Sequence, residues 1–179
     1  MLHGKLVRLR GLELTDLDRM TELWNNWDIR QYLVSVVPAS KAEEEQWIRS
    51  TWERRQKGTD YIFAIETLAE KEYIGNIGLH QFHWINRSAI LGIAILDPAF
   101  WGQGYGTDAL KTLLKYAFET LNLNRVELEV FENNERAQRA YQKVGFKEVG
   151  RRRQFRFWDG YYEDAIILDI LREEWEKEL

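Results

Sequence analysis

Residues 93–121 read IAILDPAFWGQGYGTDALKTLLKYAFETL, and this stretch decides the fold of the chain. An apolar run precedes a turn with the glycines Gly102, Gly104 and Gly106, and a helical pattern follows the turn. Apolar side chains recur there at helical spacing: Leu110, Leu113, Leu114, Ala117, Phe118 and Leu121. The pattern predicts a strand, a tight turn and a helix from about Thr107 to Leu121. The first turn of such a helix carries unpaired N–H groups and a partial positive charge, so the stretch predicts a phosphate-binding site.

The rest of the chain predicts a sheet built around this unit. Apolar runs and alternations bounded by turn residues mark the strands Lys5–Arg10, Tyr61–Glu66, Tyr73–Phe82, Ala89–Leu96, Arg125–Phe131, Phe146–Phe157 and Tyr161–Leu171. A capping box of Ser40 and Glu43 begins a helix that extends to about Lys57, where Gly58 ends it. No linker or repeat interrupts the pattern, so we expect one domain over residues 1–179. The predicted fold class is α/β (α+β), with a mixed, mostly antiparallel sheet of about seven strands flanked by helices.

Composition narrows the possible function classes. The net charge is −4, with acidic and basic residues spread along the chain, which disfavours a nucleic-acid partner. The absence of cysteine excludes disulfides, thiolate metal ligands and a cysteine nucleophile. The sequence has no signal-like N-terminus and no long apolar run, so we expect a cytoplasmic protein without a membrane partner.

The glycine turn is weighed against three phosphate-binding designs. A nucleotide P-loop requires a Lys-Ser or Lys-Thr pair after its glycines, and the turn lacks one. A dinucleotide fingerprint that starts at Gly102 would place its third glycine where Thr107 stands, and no acidic residue is well placed to bind a ribose. The third design is the run Trp101-Gly102-Gln103-Gly104-Tyr105-Gly106 followed directly by a helix.

This third design resembles the core motif of the GCN5-related N-acetyltransferase (GNAT) superfamily, (Q/R)-x-x-G-x-(G/A) after an apolar strand. Two further motifs of the family follow in order: N-x-x-A-x-x-x-Y-x-K-x-G-F over Asn134–Phe146 and D-G-x-Y-x-D over Asp159–Asp164. Over nearly its whole length the chain is similar to the RimJ/RimL group of ribosomal-protein N-terminal acetyltransferases. It departs from the core motif at Trp101, a position that contacts pyrophosphate mainly through its backbone in such sites.

The resemblance implies a GNAT fold and acetyl-CoA as co-substrate, with no metal. The backbone amides of Gln103 to Thr107 would hold the pyrophosphate, because glycines let a main chain approach closely. The strand residues Ala94 to Leu96 would pair with the pantetheine arm beside two strands that splay apart, and Asn134 would hydrogen-bond the arm. The cofactor-binding residues implied are therefore Ala94, Ile95, Leu96, Trp101, Gly102, Gln103, Gly104, Tyr105, Gly106, Thr107 and Asn134. On its own, Asn134 fits equally well as a loop residue that caps the next helix.

The resemblance also assigns the acid of the reaction. Tyr141 matches the tyrosine that similar enzymes place near the sulfur, although such a residue could also simply pack on an apolar helix face. A phenol with a pKa of about 10 is protonated at neutral pH and could donate to a thiolate, whose thiol has a pKa of about 8.5. A strand amide near Leu96 could contact the oxyanion. Many relatives carry a glutamate as base where this chain has Ile90. A water relay through Glu129, His80 or His83 stays open, although a structural role is the more usual one for each of these residues.

The acceptor is expected to be a primary amine. At pH 7, deprotonating a lysine-type or polyamine ammonium costs about 4–5 kcal/mol, whereas deprotonating an α-ammonium costs about 1–1.5 kcal/mol. An enzyme without a dedicated base therefore favours a protein or peptide α-amine, or a small metabolite amine. The segment Leu33–Val37 is apolar where spermidine acetyltransferases carry an acidic pair, which disfavours a polyamine. A polyamine or aminoglycoside acceptor, a non-catalytic acyl-CoA-binding module and a homodimer stay open as alternatives or additions.

Overall fold

The computed structural model describes residues 2–35 and 37–177, and one eight-stranded sheet runs through them. The strands are β1 Leu2–His3, β2 Val7–Arg10, β3 Tyr61–Thr67, β4 Tyr73–His83, β5 Ser88–Ile95, β6 Arg125–Phe131, β7 Lys147–Trp158 and β8 Tyr161–Leu171. The helices are α1 Leu17–Trp24, α2 Trp27–Arg30, α3 Lys41–Lys57, α4 Tyr105–Lys115, α5 Glu135–Gln142 and α6 Arg172–Lys177. Of the residues used in the predictions, Val36 in the apolar segment lies outside the described residues.

The strand order is β1-β2-β3-β4-β5-β6-β8-β7, and every neighbouring pair is antiparallel except β5 with β6. The predicted mixed, mostly antiparallel sheet flanked by helices is confirmed. The additional strand, β1, has two residues, which is too short for any periodic pattern to reveal.

Helices cover both faces of the sheet because successive strand residues point to opposite sides. In β3, Ile65 belongs to the apolar cluster that contains the α4 residues Leu113 and Leu114. Its neighbour Ala64 belongs to the other cluster, which contains Met20 of α1 and Ile48 of α3. All of these side chains are fully buried, so α4 packs on one face of the sheet, and α1 and α3 pack on the other.

Helix α4 begins two residues before the predicted Thr107 and changes its winding near its end. Residues Tyr116–Thr120 form a π-helical turn, in which the Leu121 N–H donates to the Tyr116 carbonyl at 3.0 Å. The predicted apolar stripe is confirmed, since its members from Leu110 to Phe118 are buried. The sequence did not reveal this π-helical turn, because Phe118 stays buried in the apolar stripe that the α-helical pattern predicts.

The carboxylate of Asp108 fixes the start of α4 against the N-terminal strand. Its oxygens accept hydrogen bonds from the backbone N–H groups of Lys5, Leu6 and Val7 at 2.9, 2.8 and 3.0 Å. Leu6 consequently lies beside the glycine turn, 3.6 Å from the position of a β-carbon on Gly104. The glycine turn is thus held between the sheet and the first residues of the chain.

The strands β5 and β6 diverge where the site forms. Their parallel pairing covers only Ser88 with Arg125, Ala89 with Val126 and Ile90 with Glu127. Beyond Ile90, β5 continues to Ile95 with β4 as its only strand neighbour among the described residues. The predicted splayed strand pair is confirmed, and it leaves a gap between β5 and the helix α5 that follows β6.

Candidate active site

The glycine turn ends in a row of free backbone amides at the start of α4. Gly102 and Gly104 adopt φ values of +74° and +92°, which favour glycine, and Gly104 is the N-cap residue of the helix. Among the described residues, the N–H groups of Gln103 to Thr107 donate to no other protein atom. A β-carbon on Gly102 would meet nothing within 4 Å, so the space above the turn is open. These free donors, together with the positive end of the helix dipole, are suited to bind an anion.

A cavity of about 370 Å³ extends from this turn into the gap between β5 and α5. Most of the site residues predicted from the sequence line it: Ala94, Ile95, Trp101, Gly102, Gly104, Gly106, Thr107, Asn134 and Tyr141. The opposite wall comes from the segment after α1, with Ile29, Tyr32 and Leu33. One continuous cavity therefore joins the anion-binding turn to the hydroxyl-bearing residue of α5.

Three predicted residues lie off the cavity wall. Leu96 is fully buried on the α1–α3 side, and its N–H donates to the Ile74 carbonyl at 2.8 Å. That amide is therefore already used within the sheet and is not free to contact an oxyanion. The exposed Gln103 side chain donates to the Ala99 carbonyl. Tyr105 packs edge-on against Phe100, with 5.1 Å between the ring centroids. Gln103 and Tyr105 thus offer a ligand at the turn only their free backbone amides.

Tyr141 projects from α5 into the inner part of the cavity. Its side chain is buried and packs edge-on against Phe146, with ring centroids 5.9 Å apart. The hydroxyl makes no hydrogen bond to any described residue, although the residue lines the cavity. Burial raises the pKa of Tyr141 to about 12, against a smaller lowering by the Arg136 charge. The phenol is therefore a protonated, unpartnered donor that faces the cavity.

Asn134 stands at the junction of β6 and α5 and serves as the N-cap of that helix. Its side-chain oxygen accepts from the Ala137 N–H at 3.2 Å, as expected for a cap. Its amide nitrogen has no hydrogen-bond partner among the described residues, and the residue lines the cavity. Capping and contact with a bound molecule are thus compatible, because they use different atoms of the side chain.

The acetyltransferase (GNAT) domain family matches the chain over residues 7–147, which carry the turn, the cavity and Tyr141. The chain belongs to the GNAT family. The family match assigns the activity class of an N-acetyltransferase, and the relatives carry names of the same class. A purely non-catalytic module is therefore set aside.

Relatives of this GNAT chain differ in the acceptor that their names state. A Bacillus subtilis (strain 168) protein provisionally named the ribosomal N-acetyltransferase YdaF is 31% identical over 96% of this chain and 94% of its own. The spermidine N(1)-acetyltransferase of Vibrio cholerae is 32% identical over 93% of each chain. A crystal structure of spermidine N-acetyltransferase from Vibrio cholerae in complex with CoA and spermine superposes with a TM-score of 0.84, at 30% identity, over 95% of this chain and 98% of the other.

The GNAT cavity also contains cations that the sequence motifs did not reveal. The guanidinium of Arg136 lies 3.4 Å from the ring centroid of Trp101 and 5.3 Å from that of Tyr32. Arg139 and Lys143 line the same wall. Arg136 falls on a variable position of the N-x-x-A motif, so no sequence signal marked it. The three cations add positive charge beside the free amides of the turn.

The cavity wall of this GNAT chain carries no aspartate, glutamate or histidine among the described residues. Ile90 and the candidate bases lie elsewhere: Glu129 pairs with Arg152 at 2.7 Å, and the His83 Nδ1 accepts from the Asn86 N–H at 3.1 Å. Burial lowers the pKa of His80, which also lies off the wall. The structure therefore places the free amides of the turn and the Tyr141 side chain on one cavity, without a base from this set on its wall.

Two further observations concern the described residues as a whole. No group of three or more His, Asp or Glu side chains in residues 2–35 and 37–177 is placed to hold a metal ion. None of the helices described here is long and apolar enough to span a bilayer.

Proposed function

We propose that this chain transfers the acetyl group of acetyl-CoA to a primary amine, and that the co-substrate lies in the cavity between β5 and α5. The observation that carries the proposal is the continuity of that cavity from the free amides of Gln103–Thr107 to the Tyr141 hydroxyl. The diphosphate would occupy the amides, and Arg136 would add a positive charge beside it. The solved spermidine acetyltransferase with bound CoA supports this placement, since the two chains share the fold over nearly their full lengths.

The pantetheine arm would lie along the free edge of β5, as an added strand does. Ala94 and Ile95 line the cavity there, and the edge is unpaired after Ile90. The Ile95 carbonyl already accepts from the Trp101 indole N–H at 2.8 Å, so one acceptor position of this oxygen is in use before the arm binds. The amide nitrogen of Asn134 is free to donate to a carbonyl of the arm.

In the proposed reaction, the uncharged amine attacks the thioester carbonyl and forms the new C–N bond. The C–S bond then breaks, and the thiolate takes the phenolic proton of Tyr141. The amine nitrogen loses its extra proton to solvent, which then restores the phenol. A donor with a pKa of about 12 is protonated throughout the neutral range, so Tyr141 is ready for this step before every turnover.

We propose an α-amine or a small metabolite amine as the acceptor, in preference to a polyamine or an aminoglycoside. The cavity wall carries cations and no carboxylate among the described residues, so a multiply charged acceptor gains little there. Deprotonating an α-ammonium at pH 7 costs about 1–1.5 kcal/mol, whereas deprotonating a polyamine nitrogen costs about 4–5 kcal/mol. The similarity to spermidine acetyltransferases keeps the polyamine as the second candidate.

Thiol release from acetyl-CoA tests the activity with a panel of amines that contains glycinamide, a peptide with a free α-amine and spermidine. We expect Tyr141→Phe to lower kcat by roughly 10²–10⁴-fold while the affinity for CoA stays nearly unchanged. Tyr116→Phe is the matched control, because Tyr116 is partly buried against Phe63 and lies off the cavity. Unaltered turnover in Tyr141→Phe would remove the assigned role, and a strong preference for spermidine would overturn the acceptor class.

We also propose that two copies of the chain associate through the tip of the β7–β8 hairpin. Phe157 and Tyr162 are 59% and 60% exposed and pack together, and the 70% exposed Trp27 lies against Trp158. The two pairs lie on opposite faces of the hairpin tip, and exposed aromatic side chains of this kind are typical of an interface. Sedimentation should show a dimer that the double variant Phe157→Ser, Tyr162→Ser dissociates. The control Ile85→Ser, at a residue exposed on another hairpin, should leave the mass unchanged.

A further inference from the structure

A buried ionic cluster joins the β7–β8 hairpin to two segments that line the cavity between β5 and α5. The Glu163 cluster consists of Glu163, Asn133 and Arg156, and its central carboxylate, on Glu163, is 1% exposed. One oxygen of this carboxylate accepts from the Asn133 side-chain amide at 2.6 Å. The other accepts from the Arg156 Nε and Nη2 at 3.1 and 2.5 Å. Both oxygens are therefore used, as the burial of a charge requires.

On one side, the cluster holds the segment after α2. The Arg156 Nη1 donates to the carbonyls of Gln31 and Leu33 at 2.8 and 3.2 Å. These two carbonyls flank Tyr32, and both Tyr32 and Leu33 line the cavity. The backbone on either side of Tyr32 is thus tied to Arg156, so the position of this wall depends on the guanidinium.

On the other side, the cluster holds the start of α5. Asn133 directly precedes Asn134, which lines the cavity and whose side-chain amide nitrogen has no partner among the described residues. One residue earlier, the Glu132 N–H donates to the Asp164 carbonyl of β8 at 3.1 Å. The Asn133 side chain adds a second contact to β8, directly beside the residue that faces the cavity.

The shape of the guanidinium lets Arg156 make all of these contacts together. Nε and Nη2 bind the carboxylate while Nη1 reaches the two carbonyls, and Cζ lies 3.8 Å from the ring centroid of Phe131. A lysine ammonium has the charge but no fixed fork of donors. Lysine at this position could therefore pair with Glu163 without holding both carbonyls.

We propose that Asn133, Arg156 and Glu163 act together as positioning residues for the acetyl transfer. The shared carboxylate sets the separation between the segment after α2 and the start of α5, and with it the fit of the cavity to its ligands. This inference rests on the placement of acetyl-CoA proposed above. None of the three is among the described residues that line the cavity, so they act through the residues that they hold. A misplacement of about 1 Å at such a distance from the chemistry can lower a rate by on the order of 10²-fold.

Steady-state thiol release from Asn133→Ala and Arg156→Lys tests the inference, with the amine of the panel that gives the highest turnover. Asn133 is exposed, so its truncation leaves no cavity in the core. We expect Asn133→Ala to raise the KM for acetyl-CoA roughly 3–10-fold, because the neighbouring residue at the start of α5 loses its fixed position. Arg156→Lys should lower kcat/KM for the amine roughly ten-fold, because the segment after α2 is no longer held at both carbonyls.

Arg54→Lys is the matched control for the change from arginine to lysine. Arg54 also binds a carboxylate and a backbone carbonyl, those of Asp60 at 2.7 Å and Ser50 at 3.3 Å. Neither of these partners lines the cavity, so Arg54→Lys should leave all kinetic constants unchanged.

The double variant Asn133→Ala, Arg156→Lys separates one positioning unit from two independent contacts. Because both residues act through Glu163, the loss of one should remove part of the effect of the other. The fall in kcat/KM should therefore be smaller than the product of the two single effects. A fall equal to that product would overturn the coupling through Glu163. A lower Tm with unchanged kinetic constants would reduce the cluster to a structural role and overturn the proposal.

Calorimetry with coenzyme A separates this inference from the proposed reaction, since it needs neither an amine nor turnover. Asn133→Ala should raise the Kd for coenzyme A roughly 3–10-fold as well. If the wild-type chain released no thiol with any amine but this rise in Kd were seen, the proposed reaction would be overturned and the positioning role would stand. Normal wild-type turnover, with the Kd and the kinetic constants unchanged in both single variants, would overturn the inference alone.

Discussion

At the scale of single residues, the pKa of Tyr141 makes a prediction about pH. The phenol acts in its protonated form, and burial raises its pKa to about 12, so the loss of the donor is moved to higher pH. With glycinamide as acceptor, kcat/KM should rise as the α-amine loses its proton near pH 8 and should show no falling limb below about pH 10. A pH–rate profile measured by thiol release checks this. A decline that begins near neutral pH, absent from Tyr141→Phe, would mean that Tyr141 ionises too easily for the proposed role.

Arg136 makes a second prediction at this scale. Its guanidinium lies 3.4 Å from the ring centroid of Trp101, the residue at which the chain departs from the family motif. We expect Arg136→Met, which keeps the length and removes the charge, to weaken CoA binding roughly ten-fold. Arg153→Met is the control, because Arg153 is exposed on β7 away from the cavity. Calorimetry with coenzyme A measures both, and equal affinities in the two variants would exclude a role for Arg136 in binding.

At the scale of secondary-structure elements, Arg156 connects the β7–β8 hairpin to the wall of the cavity. Its Nη1 donates to the carbonyls of Gln31 and Leu33 at 2.8 and 3.2 Å, and its Nη2 pairs with Glu163 at 2.5 Å. Both members of the ion pair are buried, and the guanidinium lies 3.8 Å from the Phe131 ring centroid. The segment after α2 therefore takes its position on the cavity from a residue more than a hundred positions away in the chain.

Removal of one member of this buried pair should be costly. We expect Arg156→Met to lower the free energy of unfolding by about 3–5 kcal/mol, because Glu163 is left buried without its cation. The exposed pair Arg152–Glu129 is the control, and Arg152→Met should cost about 0–1 kcal/mol. Urea denaturation of the three chains measures the difference. Similar small losses in both variants would show that the buried pair does not hold the hairpin to the segment.

Elements with strong local patterns were predictable, and those set by distant contacts were not. The bounds of β6 and β8 agree with the alternation and the Asp159-Gly160 turn, and the capping box of Ser40 and Glu43 begins α3 as predicted. The two-residue β1 and the π-helical turn after α4 have no periodic signature. In the site, the glycine turn and Tyr141 were predictable for the same reason, since each lies in a motif whose spacing is visible in the sequence.

Side chains that reach the site through the tertiary fold could not be found in this way. Tyr32 meets Arg136 and Trp101 only because α2, the glycine turn and α5 converge on one cavity.

At the scale of the whole molecule, the cavity between β5 and α5 opens a gap in the sheet, since β5 and β6 are no longer paired after Ile90. A ligand that fills the gap touches the β5 side and the α5 side together, and such contacts exist only in the folded chain. CoA at about 100 times its Kd should therefore add about 2.7 kcal/mol to the free energy of unfolding. For a chain of this size that corresponds to a rise in Tm of roughly 5–11 °C.

A comparison of two ligands separates the contribution of the anion-binding turn to this stabilisation from that of the rest of the cavity. Pantetheine has the arm but no diphosphate, so it should raise the Tm much less than CoA at the same concentration. Gly104→Val should lose most of the CoA shift, because valine at a φ of +92° strains the turn that presents the free amides. Each shift is measured against the same variant without ligand by differential scanning calorimetry, which removes any loss of intrinsic stability. Equal shifts with CoA and pantetheine would mean that the amides at the head of α4 do not hold the diphosphate, and the placement of the co-substrate would have to be abandoned.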